Sequence, residues 1–343
     1  MGCLAEESAR RAVDIASALA TARAGKHDRM QYVGAGIGLI ILLVAGDLLV
    51  RGAVNTSVRL GVPALIVSLT IVAFGTSAPE LLISISAVVD GAPGLALGNV
   101  VGSNTANILL VLGLPALVAG LDTSHFDTRR SYLMMITASL VFVSVASLGP
   151  IGRAHGLAFL ALLAIVLGVQ MRAALAHRRN SNGENDLESV DARMRWWKIA
   201  TFLVLGLIGL PLGATLLVDA AQVIARDFGV SDSVIGLTLV AVGTSLPELA
   251  TTVAAAVRRQ ADVALGNVIG SNMFNLLGIV GVASLFGTIP VAPQFLSFDL
   301  WVMLGASILI APFVFNKRWT LSRRWGTTLC ALYLIYLIMV VQG

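Results

Sequence analysis

GTSAPELLISISAVVDGAPGLALGNVVGSNTANILLVLG, residues 75–113, recurs at residues 243–281 as GTSLPELATTVAAAVRRQADVALGNVIGSNMFNLLGIVG, without a gap and at a constant offset of 168. Nineteen of the 39 aligned positions are identical. Each copy sets a carboxylate, Glu80 or Glu248, in an apolar run directly after a Gly-Thr-Ser-x-Pro break. A charge placed there is costly unless something cationic meets it, so the pattern points to a cation site inside a membrane.

Composition agrees. With 57% hydrophobic and 12% charged residues in 343, and a mean hydropathy of +0.88, the chain has too few polar residues to cover a soluble globule. The net charge of +4 says nothing for nucleic acid, because the basic residues sit between apolar runs, where they set membrane orientation. Residues 1–30 are too charged to span a bilayer and are expected to form a surface helix or nothing ordered; they show no apolar core or small-residue cleavage site of a signal peptide. Met1-Gly2-Cys3 lacks the Ser or Thr at position 6 that myristoylation wants, since Glu6 is there. Cys3 and Cys330 are too few and too far apart for a metal or disulfide framework and read as unpaired thiols.

From Gln31 onward the apolar runs have spanning length, about 20 residues for a hydrocarbon core of about 30 Å. Ten are counted: 31–53, 61–89, 95–119, 130–148, 155–172, 197–223, 232–257, 263–287, 297–315 and 325–342. The second and seventh carry Gly-Thr-Ser-x-Pro-Glu and are long for one straight helix; each is expected to break near Gly75 or Gly243, exposing backbone carbonyls at mid-membrane. The two copies lie five spans apart, an odd number, so they cross the membrane in opposite directions. The fold expected is therefore an all-α polytopic membrane protein: ten transmembrane helices in two inverted-topology five-helix repeats, 31–172 and 197–343, joined by a polar linker, 173–196.

Sixteen Lys and Arg, from Arg51 to Arg324, fall in the loops on one side of this topology, and only Arg153 and Arg226 fall on the other. Short cytoplasmic loops are enriched in basic residues, so the expected placement is the cell (inner) membrane with both termini outside and the 173–196 loop cytoplasmic. The N-terminal tail, with five basic residues, dissents. Trp196, Trp197, Trp319 and Trp325 flank the same inner side, as interfacial aromatics do.

On a helix Thr76 and Glu80 share a face, as do Ser103 and Asn107, and Thr244 with Glu248 and Ser271 with Asn275 repeat both pairs. Two Glu, two Asn, Ser and Thr hydroxyls and the carbonyls of two broken helices are the six to eight oxygens that a hard cation such as Ca2+ wants. Soft metals are disfavoured, because no Cys or His lies near either copy. Gly98, Gly102, Gly266 and Gly270 form small-xxx-small pairs suited to close helix packing. Asp47, Asp219 and Asp299 lie toward span ends and read as hydrating or capping groups.

The pattern GTSxPEL followed by GNxxGSNxxN, twice, resembles the α-1 and α-2 repeats of the cation/Ca2+ exchanger superfamily, nearer its Na+/Ca2+ branch, over the chain beyond residue 30. The resemblance implies ten helices in an inverted repeat, with Ca2+ and Na+ competing for sites between the second, third, seventh and eighth. By motif position it implies Glu80 and Glu248 as shared carboxylates, surrounded by Thr76, Ser77, Ser103, Asn107, Thr244, Ser245, Ser271 and Asn275, with the carbonyls of Ala73 and Ala241. The H+/Ca2+ branch typically replaces the Thr-Ser pair before its Glu, so the pair seen here favours Na+. K+-dependent relatives usually carry Asp where this chain has Asn275, which speaks against K+ coupling.

The expected function is a secondary antiporter, not an enzyme, that moves Ca2+ outward against inward Na+ by alternating access. Ca2+ and Na+ are its transported ions, the lipid bilayer is its surroundings, and neither an organic cofactor nor nucleic acid is expected. The alternative readings are an antiporter of H+ for Ca2+ or another divalent cation, and a cation channel. Channels gather their sites by oligomeric symmetry, whereas here one chain holds a complete two-fold site, which also predicts function as a monomer. An intramembrane hydrolase is set aside, since no Ser, His and Asp set lies near the repeats.

A cysteine introduced at Ser181 is expected to react with an impermeant thiol reagent only from the cytoplasmic face; labelling from outside intact cells would reverse the orientation.

Overall fold

The computed structural model describes residues 2–124, 126–180, 194–229, 241–316 and 318–342, with side chains from Gln31 on apart from those of 177–180 and 241. The described part is helical throughout, with two isolated β-bridges as its only extended pairing. In chain order the helices are α1 (Gly2–Leu60), α2 (Ala64–Thr76), α3 (Ala78–Val89), α4 (Pro93–Ala119), α5 (Arg129–Ser147), α6 (Arg153–Asn180), α7 (Trp196–Asp227), α8 (Ala241–Thr244), α9 (Leu246–Val257), α10 (Ala261–Phe286), α11 (Phe295–Phe315) and α12 (Arg323–Gln342).

Eight of these are long and apolar enough to cross a membrane, and α2 with α3, bent by 42°, makes a ninth. The seventh expected span is described only from Ala241 to Val257; its first half, like most of the 173–196 linker, lies outside the described residues. The first span runs on to Leu60 rather than ending near 53, and α1 is one continuous helix from Gly2, so the tail is helical. No Pro or Gly-Pro signal interrupts residues 31–60, which is why the helix continues.

The lipid-facing surface and the interior exchange their usual roles. Tyr32, Ile40, Leu82, Leu95, Leu148 and Ile165 are exposed, while Glu, Asn, Ser and Thr side chains fill the centre. In a bilayer the solvent is as apolar as the core, so burial sorts by hydrogen bonding rather than hydropathy. The two helices carrying GNxxGSNxxN are the most enclosed: 78% of the central window of α4 and 83% of that of α10 is buried, against 22% for α7 and α12.

Glycine sets how closely these helices pack. A Cβ on Gly270 would stand 2.4 Å from the Leu69 carbonyl oxygen, and one on Gly266 2.7 Å from that of Leu65, so α10 touches the backbone of α2. Among the described residues a Cβ on Gly98 would meet only Phe295, at 3.7 Å, and one on Gly102 nothing within 4 Å. On the other side of the molecule Gly38 of α1 and Gly213 of α7 let those two helices meet backbone to backbone. Leu42, Ala45, Leu49, Leu210 and Ala214 form a small core between them, separate from the main one.

The β-bridges link the loops. Leu121 pairs with Leu321 through N–O contacts of 2.9 and 3.1 Å, and Ile151 with Ile289 through contacts of 2.8 and 2.9 Å. Leu121 and Ile289 are 168 apart, so equivalent points of the two halves are tied down at opposite ends of the molecule, with the 19 residues of α5, about 28 Å of helix, between Leu121 and Ile151.

Gly270→Ala is expected to lower thermal stability in detergent by the ~1–3 kcal/mol of an overpacked site. Gly305→Ala, whose added methyl meets nothing within 4 Å among the described residues, serves as the control and should be near neutral.

Candidate functional site

The break between α2 and α3 falls at Ser77, where the backbone leaves the helical region (φ -85°, ψ 5°), and the matching break falls at Ser245 (φ -89°, ψ 5°). Each break lies two residues beyond the glycine expected to make it. Pro79 and Pro247 decide the position: neither has an N–H to give, so the carbonyls of Gly75 and Gly243 lose their helical donor. Glu80 and Glu248 thereby stand in the first turn of a new helix, where the free N–H ends favour negative charge.

Both carboxylates are fully buried, and each is positioned by an asparagine of the following long helix. Asn99 Nδ2 donates to the Glu80 carbonyl at 3.3 Å and to Ser84 Oγ at 3.1 Å. Asn267 Nδ2 donates to the Glu248 carbonyl at 3.4 Å and to Thr252 Oγ1 at 3.2 Å. Sequence reading passed over Asn99 and Asn267, although both lie inside the duplicated stretch and are identical in its two copies.

The halves meet at this level. Ser77 Oγ donates to Glu248 Oε1 at 3.0 Å, and the Thr76 hydroxyl lies 3.3 Å from Asn267 Oδ1 and from the Ala73 carbonyl. Asn275 Nδ2 donates to Ser103 Oγ and Asn107 Nδ2 to Asn272 Oδ1, both at 3.0 Å. Asn104 and Asn272, a second pair unmarked in the sequence reading, each give Nδ2 to the other's backbone carbonyl at 3.4 Å. Asn107 and Asn275 each begin a wide helical turn, their carbonyls accepting from the fifth residue on, Leu112 and Val280. Such π-turns shift the side chains off the regular helical face and recur at functional sites.

The inward oxygens outnumber the donors. Both oxygens of Glu80, Oε2 of Glu248, Oδ1 of Asn107 and Asn275, and Oγ of Ser245 and Ser271 are buried without a hydrogen-bond partner. Seven such oxygens from two carboxylates, two amides and two hydroxyls fit a hard cation, the chemistry of Ca2+ or Na+. Thr244 is buried against the same centre. The Ala73 carbonyl already accepts from Ser77 N at 3.1 Å as well as facing Thr76, so both its lone pairs are engaged in this conformation. Ala241 stands at the start of α8.

The other acidic residues are turned elsewhere. Asp47 pairs with Arg51 at 3.0 Å and with Arg258, and Asp219 is exposed on α7. Asp299, expected to hydrate or cap, is instead buried and accepts from the Tyr336 hydroxyl at 3.3 Å, because α12 covers it. Among the described residues no group of three or more Asp, Glu, His and Cys gathers anywhere, so the two glutamates supply the charge of the cage.

The fold is that of a multi-pass integral membrane protein, and its centre gathers buried oxygens without hydrogen-bond partners. A family model described as sodium/calcium exchanger protein matches residues 30–172 and 198–342. The chain is 36% identical over 309 residues to the inner membrane protein YrbG of Escherichia coli (strain K12), covering 89% of this chain and 94% of that one. It is 34% identical over 341 residues to the sodium/calcium exchanger MaX1 of Methanosarcina acetivorans, covering 89% and 96%. A solved structure of the sodium-calcium exchanger NCX_Mj, soaked with 10 mM Na+ and zero Ca2+, superposes with a TM-score of 0.75 at 32% identity, over 91% of this chain and 99% of that one. This chain therefore belongs to the sodium/calcium exchanger protein family. It is a membrane transporter of the cation/Ca2+ exchanger kind.

Glu80→Gln and Glu248→Gln are each expected to abolish Ca2+ flux in proteoliposomes while leaving the protein monodisperse, since each removes half the charge of the cage. Near-wild-type flux in either variant would remove that glutamate from the site.

Proposed function

We propose that this protein is a secondary active antiporter that exports Ca2+ in exchange for Na+ by alternating access. The observation that carries the reading is the buried cage itself: equivalent residues of two duplicated segments contribute two carboxylates and a set of oxygens that lack donors. Glu80 and Glu248 are the central ligands, with Thr76, Ser77, Ser103, Asn107, Thr244, Ser245, Ser271 and Asn275 around them and the backbone carbonyls of Ala73 and Ala241 at the broken helices. With two negative charges, one Ca2+ neutralises the cage, whereas Na+ must enter in multiples to do so. The two ions therefore exclude one another. An empty cage holds two uncompensated charges in a low-dielectric layer, which opposes the change of state and makes the exchange obligatory.

The architecture that goes with this reading is ten spans in two inverted five-helix repeats, 31–172 and 197–343, rocking or sliding about the fixed site. The β-bridges support the topology, since each joins two loops that it sets on the same face. The sixteen-to-two distribution of basic loop residues supports a cytoplasmic 173–196 linker with both termini outside. A site complete within one chain supports a monomer as the working unit.

The test is radiolabelled Ca2+ uptake into proteoliposomes under imposed Na+, K+ or pH gradients. A Na+ gradient should drive flux; flux driven only by a pH gradient would make the protein a proton-coupled exchanger.

Charge balance generates a further expectation. Ca2+ and K+ held together would leave the two-carboxylate cage with about one charge in excess, a cost on the order of several kcal/mol. Na+-driven Ca2+ flux should persist with K+ removed from both sides. Asn275→Asp should make transport more pH-sensitive, because a third carboxylate beside two others competes for protons. Loss of flux on removing K+ would overturn the charge argument.

A further inference from the structure

The offset of 168 gives every cage residue a mate, and within each half the mates make the same bonds, Asn99 to Glu80 and Ser84, Asn267 to Glu248 and Thr252. Across the seam they do not. Ser77 donates to Glu248, yet its mate Ser245 and both oxygens of Glu80 have no partner. Asn107 donates to Asn272 Oδ1, whereas its mate Asn275 donates to Ser103. The two atoms that would complete the reverse arrangement, Asn104 Oδ1 and Ser271 Oγ, are buried and without a hydrogen bond. These three bonds, Ser77 to Glu248, Asn107 to Asn272 and Asn275 to Ser103, thus each have a mirror whose acceptor is buried without a hydrogen bond.

Asn104 and Asn272 treat the halves alike, through their reciprocal bonds to each other's carbonyl. They lie on the seam itself, one helical turn from Asn107 and Asn275, and touch the cage through them.

We propose that Asn104 and Asn272 are positioning residues whose side-chain carbonyls take turns as acceptor for the opposite half's ligand amide. In the register seen here Asn272 Oδ1 holds Asn107 and Asn275 turns to Ser103. In the reverse register Asn104 Oδ1 holds Asn275, Asn107 turns to Ser271, and Ser245 replaces Ser77 as donor to a glutamate. The exchange conserves the number of hydrogen bonds and of orphaned acceptors, so neither register is favoured by the count. Each register belongs to one of the two facing states; to that extent the proposal rests on the alternating-access reading.

The test uses the full chain in vesicles of known insertion, exchanging radiolabelled for unlabelled Ca2+, and reads the ratio of half-saturating Ca2+ on the two faces. That ratio follows the balance between facing states, and changes in overall cage affinity cancel from it. Asn104→Ala removes the side-chain acceptor of the reverse register and Asn272→Ala that of the present one; each also removes one of the two reciprocal amide–carbonyl bonds, an equal loss at the two positions. The two should move the ratio in opposite directions, each by about fivefold, the factor that a single neutral hydrogen bond is worth. Asn104→Asp and Asn272→Asp keep an acceptor and strengthen it, so each should move the ratio the other way from the alanine variant at the same position. Where an alanine variant fails to fold, the aspartate pair decides the matter. Shifts of the same sign at both positions, no shift, or misfolding of all four variants would overturn the proposal in favour of a purely structural role. Ca2+ self-exchange needs no Na+, so a wild-type protein that self-exchanges without Na+-driven flux would sink the Na+ reading and leave this test in force.

Discussion

Two buried carboxylates, with no Lys or Arg paired with them among the described residues, are the constraint on which the rest depends. Left uncompensated, each would cost several kcal/mol, on the order reported for unpaired buried ions. Asp47, near the middle of the first span, pairs with Arg51 and with Arg258 at the end of α9, not with either glutamate. On the proposed reading compensation comes from a cation that enters, and the buried oxygens without hydrogen-bond partners are free to meet it. The Pro-induced breaks, the asparagine clamps and the wide turns at Asn107 and Asn275 all serve that purpose.

Membrane surroundings explain why such a cage is affordable. Soluble proteins bury apolar groups to leave water, whereas here the outside is apolar already and packing has to come from close backbone contact. Gly266 and Gly270 supply it by letting α10 lie on the backbone of α2, which brings Ser271 and Asn275 up to the residues of the first half. A side chain at Gly270 would push the halves apart at the point where Asn275 reaches Ser103.

Much of this was legible in the chain. The duplicated stretch carries the carboxylates, the breaks and the glycines, and the odd number of spans between copies follows from hydropathy alone. Three things were not legible, for physical reasons. Helical spacing marks residues on one face, so it marked Ser103 with Asn107 but not Asn104, whose bond runs to Asn272 on another helix; Asn99, four residues before Ser103, was within reach of the same pattern. The register of a broken helix depends on which carbonyl a proline leaves without a donor, which placed the break at Ser77 rather than Gly75. Burial of Asp299 depends on α12, remote in sequence, and no local pattern announces it.

Duplication by itself predicts two equal halves, and the structure departs from that where the halves meet. Bonds inside each half match to within a few tenths of an ångström: 3.3 and 3.1 Å from Asn99, 3.4 and 3.2 Å from Asn267. Three bonds that cross from one half to the other have no counterpart, and all three join side chains rather than backbone. Two bodies with matched interiors and a mismatched seam are what a pair of rigid units looks like when caught in one of two equivalent relative positions. The asymmetry then belongs to the seam and not to the repeats, because rotating a serine or asparagine side chain costs far less than rebuilding a helix. On the alternating-access reading proposed above, a site assembled this way would keep its carboxylates fixed within their own halves while the donors around them change hands.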